Sequence, residues 1–341
     1  LIKYLGSKRK LLNKIYEETS TLFEHQRADV LDLFSGSARV GHMFKSKGYS
    51  VVSNDHNAYA YTNALCYVQA DESCARDAQR IIEELNKVSP SPGFITETYC
   101  LKSRFFQPFN GERIDAIRAR IEQLSLPPEL KAVVLVSLIE AADRVDSTTG
   151  VQMAYLKQWA ARSFNALELR LPALLPRSTR GCSLALKMDA LEGMKYASAE
   201  VDLTYLDPPY NQHKYHSNYH IWETLVLWDF PEVYGVACKR IDGKQKGGLF
   251  YSKKTCKNSF IELVNACESS HAIVSFSNEG FITKEDIESC LKIKFSRVRV
   301  VEINFDRYIG HSIGKHDKQG NRIGDSTHAQ NIEYLFIASR F

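Results

Sequence analysis

The stretch Ala28-Asp29-Val30-Leu31-Asp32-Leu33-Phe34-Ser35-Gly36-Ser37 decides the fold. Its first seven residues are a short, largely apolar run that stops at a Ser-Gly-Ser turn, and a helical stretch from about Arg39 to Lys47 follows. That is strand, glycine turn, helix. A second apolar strand, Tyr49 to Ser53, ends in Asn54-Asp55, so residues 28–55 form a β-α-β unit of the doubly wound type. Ligands in such sheets bind at the carboxyl ends of the strands. Asp32, the Ser35–Ala38 turn and Asp55 all fall there.

Beyond this unit the pattern changes. From about Asp71 the residues Ala75, Ala78, Ile81, Ile82 and Leu85 recur at helical spacing until Ser89-Pro90-Ser91-Pro92-Gly93 breaks the chain. Further helices are predicted at about 111–125, 128–145 and 151–166. Sheet-like sequence returns at Ser183–Lys187, Val201–Leu206, His271–Phe276, Arg297–Asn304 and Asn331–Ala338. The fold class predicted is α/β, a doubly wound Rossmann-like core with a helical insertion. The core is expected to be discontinuous, residues 1–62 and 180–341, with 63–179 inserted.

Bulk properties set the bounds. With 341 residues, 44% apolar and 25% charged, the chain suits a globular protein with a sizeable core. Its eight cysteines show no paired C-x-x-C spacing, and a chain of this size needs no disulfides, so free thiols in a reducing cytoplasm are expected. No apolar run of about 18 residues and no signal-peptide pattern occurs, so no membrane partner is expected. The missing initiator Met reads as trimming or an incomplete start. A formal charge of +4 and a pI of about 8.5 permit a polyanionic partner without requiring one.

The sharpest chemical signal is Val201-Asp202-Leu203-Thr204-Tyr205-Leu206-Asp207-Pro208-Pro209-Tyr210, an apolar strand running into an acid, two prolines and an aromatic. The prolines cannot donate backbone hydrogen bonds and restrict the residue before them, so the strand ends here in a stiff turn. Such a turn holds Asp207 and Tyr210 at the sheet's carboxyl edge. An adenine amino nitrogen is a poor nucleophile because its lone pair is delocalised into the ring. A fixed carboxylate and a carbonyl can accept its two hydrogens and localise that pair. A base taken out of the duplex also needs an aromatic face to stack on. Asp-Pro-Pro-Tyr holds all these groups, although the four residues alone equally describe a strand-ending turn with a solvated acid and a packed tyrosine.

The motif has company. Asp207-Pro208-Pro209-Tyr210, with Asp32-Leu33-Phe34-Ser35-Gly36-Ser37-Ala38 and Lys3-Tyr4-Leu5-Gly6-Ser7-Lys8, resembles the Dam-like adenine-N6 DNA methyltransferases in content and order. The resemblance covers residues 3 to about 62 and 180–310. It reaches into the insertion at Ser103-Arg104-Phe105-Phe106 and Asn110-Gly111, which look like stretches of restriction-modification members. It implies S-adenosylmethionine as cofactor and double-stranded DNA as partner, and leaves open whether a cognate restriction endonuclease accompanies the enzyme. Tyr4 and Lys8 fall where the family encloses the methionine part of the cofactor. Asp32, Phe34, Ser35 and Gly36 match the turn beneath it, Gly36 allowing close backbone approach. Ala38 stands where the family has glycine, which is expected to exclude an easy positive φ. Asp55 matches the acid that accepts the ribose hydroxyls, and Asp189 and Ala190 sit where the family contacts the cofactor adenine. Asp207 and the Pro208 carbonyl would receive the target amino group, with Pro209 stiffening the turn and Tyr210 stacking on the base. The rivals are an RNA base-amino methyltransferase and a catalytically silent nucleic-acid-binding protein on the same fold.

Four further features stand out in the sequence. His213, His216 and His220 mimic metal-ligand spacing, but nothing completes a site and methyl transfer from a sulfonium needs no metal. Ser277-Asn278-Glu279-Gly280, after the 271–276 strand, resembles a family loop beside the target-base pocket. Lys239, Arg240, Lys244, Lys246, Lys253, Lys254 and Lys257 are expected in a long, glycine-containing loop able to neutralise phosphates. Arg297, Arg299, Arg307, Lys315, Lys318 and Arg322 form a second, more dispersed basic set.

Overall fold

The computed structural model describes residues 2–211, 214–245, 248–306, 315–316, 322–324 and 330–341. Its centre is a sheet of β1 (Asp29–Asp32), β2 (Ser50–Asn54), β3 (Leu184–Leu186), β4 (Leu203–Leu206), β5 (His271–Ser277), β6 (Arg297–Asp306) and β7 (Gln330–Ser339). The spatial order is β3-β2-β1-β4-β5-β7-β6. Strands β1 to β5 run parallel, and β7 runs antiparallel between β5 and β6. Every strand predicted from the sequence is present. The chain leaves β1 toward β2 and β3 and then returns to β4 on the other side, so the topological switch point lies between β1 and β4.

The main helices are α1 (Leu12–Leu22), α2 (Arg39–Ser46), α3 (Ala58–Ala64), α4 (Ala75–Leu85), α5 (Pro108–Gln123), α6 (Pro128–Val145), α7 (Ala190–Ala197), α8 (His220–Leu227), α9 (Cys256–Ala266) and α10 (Lys284–Lys292). Successive strand residues point to opposite faces, and the apolar clusters divide accordingly. Val30, Val51, Tyr205, Ile273 and Leu335 bury one face with Ile15 of α1 and Phe44 of α2. Leu31, Leu206, Val274 and Phe336 bury the other with Met194 of α7, Phe260 of α9 and Ile287 of α10.

The helical region between β2 and β3 contributes to both the sheet and a body of its own. Ala132, Val133 and Val136 of α6 join the first sheet face. Leu135, Leu138, Ile139 and Ala142 on its other side pack with Ile81 and Leu85 of α4, Ile114 and Ile117 of α5, and Ile221 and Trp222 of α8. One helix is therefore shared by two cores. No helix among the described residues is long and apolar enough to cross a membrane.

The helix expected over 151–166 does not form; only a single 3-10 turn, Ala161–Phe164, is present. Tertiary partners take the backbone groups a helix would use. Gln152 N–H donates to Asn218 O at 2.7 Å, Leu156 N–H to Ser147 O at 2.8 Å and Ala160 N–H to Ser147 Oγ at 3.1 Å. Gln152 Oε1 in turn accepts from Ile221 N–H at 2.8 Å, at the start of α8.

Candidate active site

A cavity of about 450 Å³ opens at the carboxyl ends of β1 to β4, where the switch point places it. It is lined by Tyr4 and Lys8 from the N-terminal segment, Asp32 to Ser37 after β1, Asn54 to Asn57 after β2, Met188 to Leu191 after β3, and Asp207 and Pro209 after β4. The sequence-predicted residues Tyr4, Lys8, Asp32, Phe34, Ser35, Gly36, Asp55, Asp189, Ala190, Asp207 and Pro209 thus converge on one wall system. Pro208 is buried, and neither it nor Tyr210 is among the residues lining this cavity.

The glycine turn is fixed from three directions. Gly36 has φ +50°, and a Cβ there would lie 2.8 Å from the Tyr4 hydroxyl, so no larger residue fits without displacing Tyr4. Its N–H donates to Asp55 Oδ2 at 3.0 Å, tying the turn after β1 to the end of β2. The other oxygen of Asp55 accepts from Asn57 N–H at 2.9 Å and Asn57 Nδ2 at 3.0 Å. Burial nevertheless holds the Asp55 carboxyl above its ordinary range. Ala38 overturns the expectation drawn from its side chain: it adopts φ +59° and ψ +17° at the N-cap of α2. The turn demands the left-handed conformation, and alanine accepts it at a cost of about 1–2 kcal/mol.

The ring of Tyr4 lies near-parallel to those of Tyr219, with centroids 4.7 Å apart, and Tyr215, at 5.4 Å. Its hydroxyl lies 3.2 Å from that of Tyr59. Asp32 is fully buried and accepts from Gly41 N–H at 3.1 Å, which fixes the start of α2 on β1. Burial first, and then repulsion by Asp207, pushes its carboxyl up to about 7. Asp189 caps α7, accepting from Leu191 N–H at 2.9 Å.

At the end of β4, Asp207 meets Lys8. The two form an ion pair at 3.1 Å, and Lys8 also lies 3.6 Å from Glu333 Oε2 on β7. Burial pushes the Asp207 carboxyl up to about 6, Lys8 opposing and Glu333 adding to the rise. Burial alone would lower Lys8, but Asp207 and Glu333 outweigh it and hold the ammonium charged. The Lys8 ammonium also stands 5.9 Å from the centre of the Tyr210 ring. Tyr210 packs edge-on to Phe276 at 5.9 Å, and its carbonyl accepts from Phe281 N–H at 2.8 Å. Phe276 and Phe281, the residues on either side of the Ser277–Gly280 stretch singled out in the sequence, therefore support the Asp-Pro-Pro-Tyr turn.

Several residues of the site were not visible in the sequence. Leu249, Phe250 and Tyr251 form a 3-10 turn lining the cavity, with Phe250 edge-on to Phe34 at 5.5 Å. Asn54 uses its side chain to bridge three strand ends, donating to Leu33 O and Met188 O, both at 3.3 Å, and accepting from Met188 N–H at 3.1 Å. Glu333 gave one unread signal, an acid inside the otherwise apolar Ile332–Ala338 run.

The histidines and basic segments fare differently. His220 is buried with Nε2 2.9 Å from Gln152 O, and burial lowers it to about 3; His213 lies outside the described residues. Arg240 is not a free cation: it is buried and forks onto Asp229 at 2.7 and 2.6 Å and onto Asp242 at 3.1 Å. Lys257 opens α9 and pairs with Asp286 at 2.9 Å. The expected long loop is thus partly structured, while Lys253 and Lys254 stay exposed. Lys246, Arg307 and Lys318 lie outside the described residues, and Arg299 pairs with Glu18.

The model of the D12 class N6 adenine-specific DNA methyltransferases matches residues 4–289, most of the chain. The chain belongs to this family. Among curated relatives, the type II methyltransferase M.NlaIII of Neisseria lactamica is 30% identical, with 99% of each chain covered. M.CviAII of Paramecium bursaria Chlorella virus 1 is 30% identical over 90% of this chain and 92% of its own. M.FokI of Planomicrobium okeanokoites is 32% identical over 85% of this chain, which spans 47% of that protein. As a family member the protein is a methyltransferase that uses S-adenosylmethionine and acts on DNA.

The cavity fits that cofactor. Its volume lies in the range of cofactor sites. Gly36 leaves room that a Cβ would fill, and the buried Ser7 and Ser35 hydroxyls at its wall have no hydrogen-bond partner among the described residues. Such orphaned groups need a partner from outside the chain.

Proposed function

We propose that this protein methylates the exocyclic N6 of adenine in double-stranded DNA, as the site-specific modification enzyme of a restriction-modification system. The observation that carries the reading is Asp207, a mostly buried carboxylate at the end of β4 facing the same cavity as Gly36 and Asp55. The family description, and relatives whose names are type II methyltransferases or modification methylases, support the substrate class and the modification role.

S-adenosylmethionine supplies an activated methyl group on a sulfonium. Phe34, Ser35 and Gly36 of the glycine turn would hold it together with Tyr4, with Asp55 for its ribose hydroxyls and Asp189 and Ala190 for its adenine. Asp207 and the Pro208 carbonyl accept the two amino hydrogens of a base taken out of the duplex, localising the nitrogen lone pair. Tyr210 offers the stacking face, and Pro208 and Pro209 keep the turn rigid. Positioning and lone-pair localisation carry the rate, with no covalent enzyme intermediate. The helical region 63–179 is assigned to target recognition.

The test is transfer of tritiated methyl groups to duplex DNA, single-stranded DNA and RNA, followed by nucleoside analysis. Methyladenine from duplex DNA is expected, and Asp207→Ala should lower the rate by roughly two orders of magnitude or more without loss of cofactor affinity. Preferential labelling of RNA, or an Asp207→Ala enzyme retaining more than about a tenth of the rate, would overturn the reading.

A further inference from the structure

Lys8 reaches two carboxylates carried by different strands. Its Nζ lies 3.1 Å from Asp207 Oδ1 at the end of β4 and 3.6 Å from Glu333 Oε2 on β7, the antiparallel strand that pairs with β5. The three side chains are only 5%, 20% and 14% exposed. Glu333 Oε2 is buried and makes no hydrogen bond to any of the described residues. A buried carboxylate oxygen without a hydrogen bond is costly and uncommon, so its persistence in an apolar strand calls for a reason.

The reason lies in competition at Asp207. The ammonium of Lys8 and an incoming amino group both seek the same carboxylate, and an ammonium on it drains the negative charge that would localise the amino lone pair. We propose that Glu333 is a positioning residue that takes over the Lys8 ammonium when the target amino group docks on Asp207. The inference rests on Asp207 being the amino-group acceptor. The shift is small: Nζ must close from 3.6 Å to hydrogen-bonding range on Glu333, within the reach of a four-carbon side chain. The exchange moves no proton and no electron. One ammonium serves two carboxylates, and substrate binding decides which of them it pairs with.

The groups facing Asp207 and Lys8 are Glu333 on β7, Tyr205 on β4, Tyr210 in the turn and Asp32 after β1. The negative charge of Glu333 raises Asp207, so Glu333→Gln should move the acid limb of kcat/KM to lower pH while slowing turnover. A variant that merely loosens β7 has no reason to move that limb downward.

The experiment measures tritiated methyl transfer to unmethylated duplex DNA between pH 5 and 9 for the native enzyme, Glu333→Gln, Lys8→Met, the double variant and Asp207→Ala. S-adenosylhomocysteine affinity is followed by calorimetry. Glu333→Gln should lower kcat roughly tenfold with unchanged cofactor affinity and a lowered acid limb. In the Lys8→Met background the same change should cost less than about twofold, because Glu333 acts through Lys8. A kcat within about twofold of native, an unmoved acid limb, or an equal fractional loss in both backgrounds would each overturn the inference. Should Lys8→Met be too slow to assay, the pH limb of Glu333→Gln decides alone. An active Asp207→Ala removes the reading of Asp207 itself; an inactive Asp207→Ala beside an unaffected Glu333→Gln removes only the role of Glu333.

Discussion

The carboxylates of Asp32, Asp55 and Asp207 are gathered at one sheet edge, and burial raises all three. That arrangement opposes stability in the cofactor-free protein. Asp32 shows the sign most cleanly, with a folded-state value of about 7 against 3.8 as the ordinary one. Between these values the folded state holds a proton that the unfolded state has released, so stability falls as pH rises through the window and the full cost is present above it. Asp32→Asn keeps a side-chain oxygen for Gly41 N–H and removes the titration. Chemical denaturation without cofactor should find the variant more stable than the native protein above about pH 7, by a gap of the order of a few kcal/mol that closes toward pH 4. A gap that does not change with pH would show that Asp32 is ionised throughout. At this scale the sequence was informative where a residue's chemistry is tied to a strand end, as for Asp32, Asp55 and Asp207. It was silent on Glu333 and Phe250, which reach the site from distant segments that no local spacing connects to it.

Among the elements, α3 shows how the helical region is locked to the sheet. It begins three residues after Asp55, and its first two N–H groups, those of Ala58 and Tyr59, donate to Glu223 of α8 at 3.1 and 3.0 Å. Glu223 is buried, so a single carboxylate satisfies two orphan donors and complements the helix dipole. Glu223→Ala should destabilise the protein by about 3 kcal/mol, the range for losing charged hydrogen bonds and stranding their donors, with Glu223→Gln losing less. Urea denaturation monitored by tryptophan fluorescence measures this, and a loss below about 0.5 kcal/mol would mean that water replaces the carboxylate. This cap also explains what the sequence could and could not reveal. The strands and α5 and α6 were legible because their periodicity is local. The segment 151–166 was misread because its backbone bonds to Ser147 and Asn218 instead of to itself, a tertiary choice that helical spacing cannot register.

Across the whole molecule, charge has to be assigned to partners before any of it can be offered to DNA. The 239–257 segment read from sequence as a uniform basic loop, but Arg240 is committed to Asp229 and Asp242, and Lys257 to Asp286. Lys253 and Lys254 are exposed, next to the 249–251 turn whose Phe250 packs on Phe34 beneath the cavity. A duplex delivering a base to Asp207 would bring phosphates toward that rim, and cations there meet backbone charge that is the same for every sequence. Neutralising Lys253 and Lys254 together to Gln should therefore weaken binding to all duplexes about equally and reduce the magnitude of the salt slope by about 1 to 2, with site preference intact. Arg240→Gln should behave differently, lowering stability through the stranded Asp229 and Asp242 rather than changing the salt slope. Fluorescence anisotropy across a salt series on preferred and unrelated duplexes separates the two. If the lysine double variant keeps its nonspecific affinity but loses discrimination among sites, the segment reads bases, and the helical region 63–179 does not carry recognition alone.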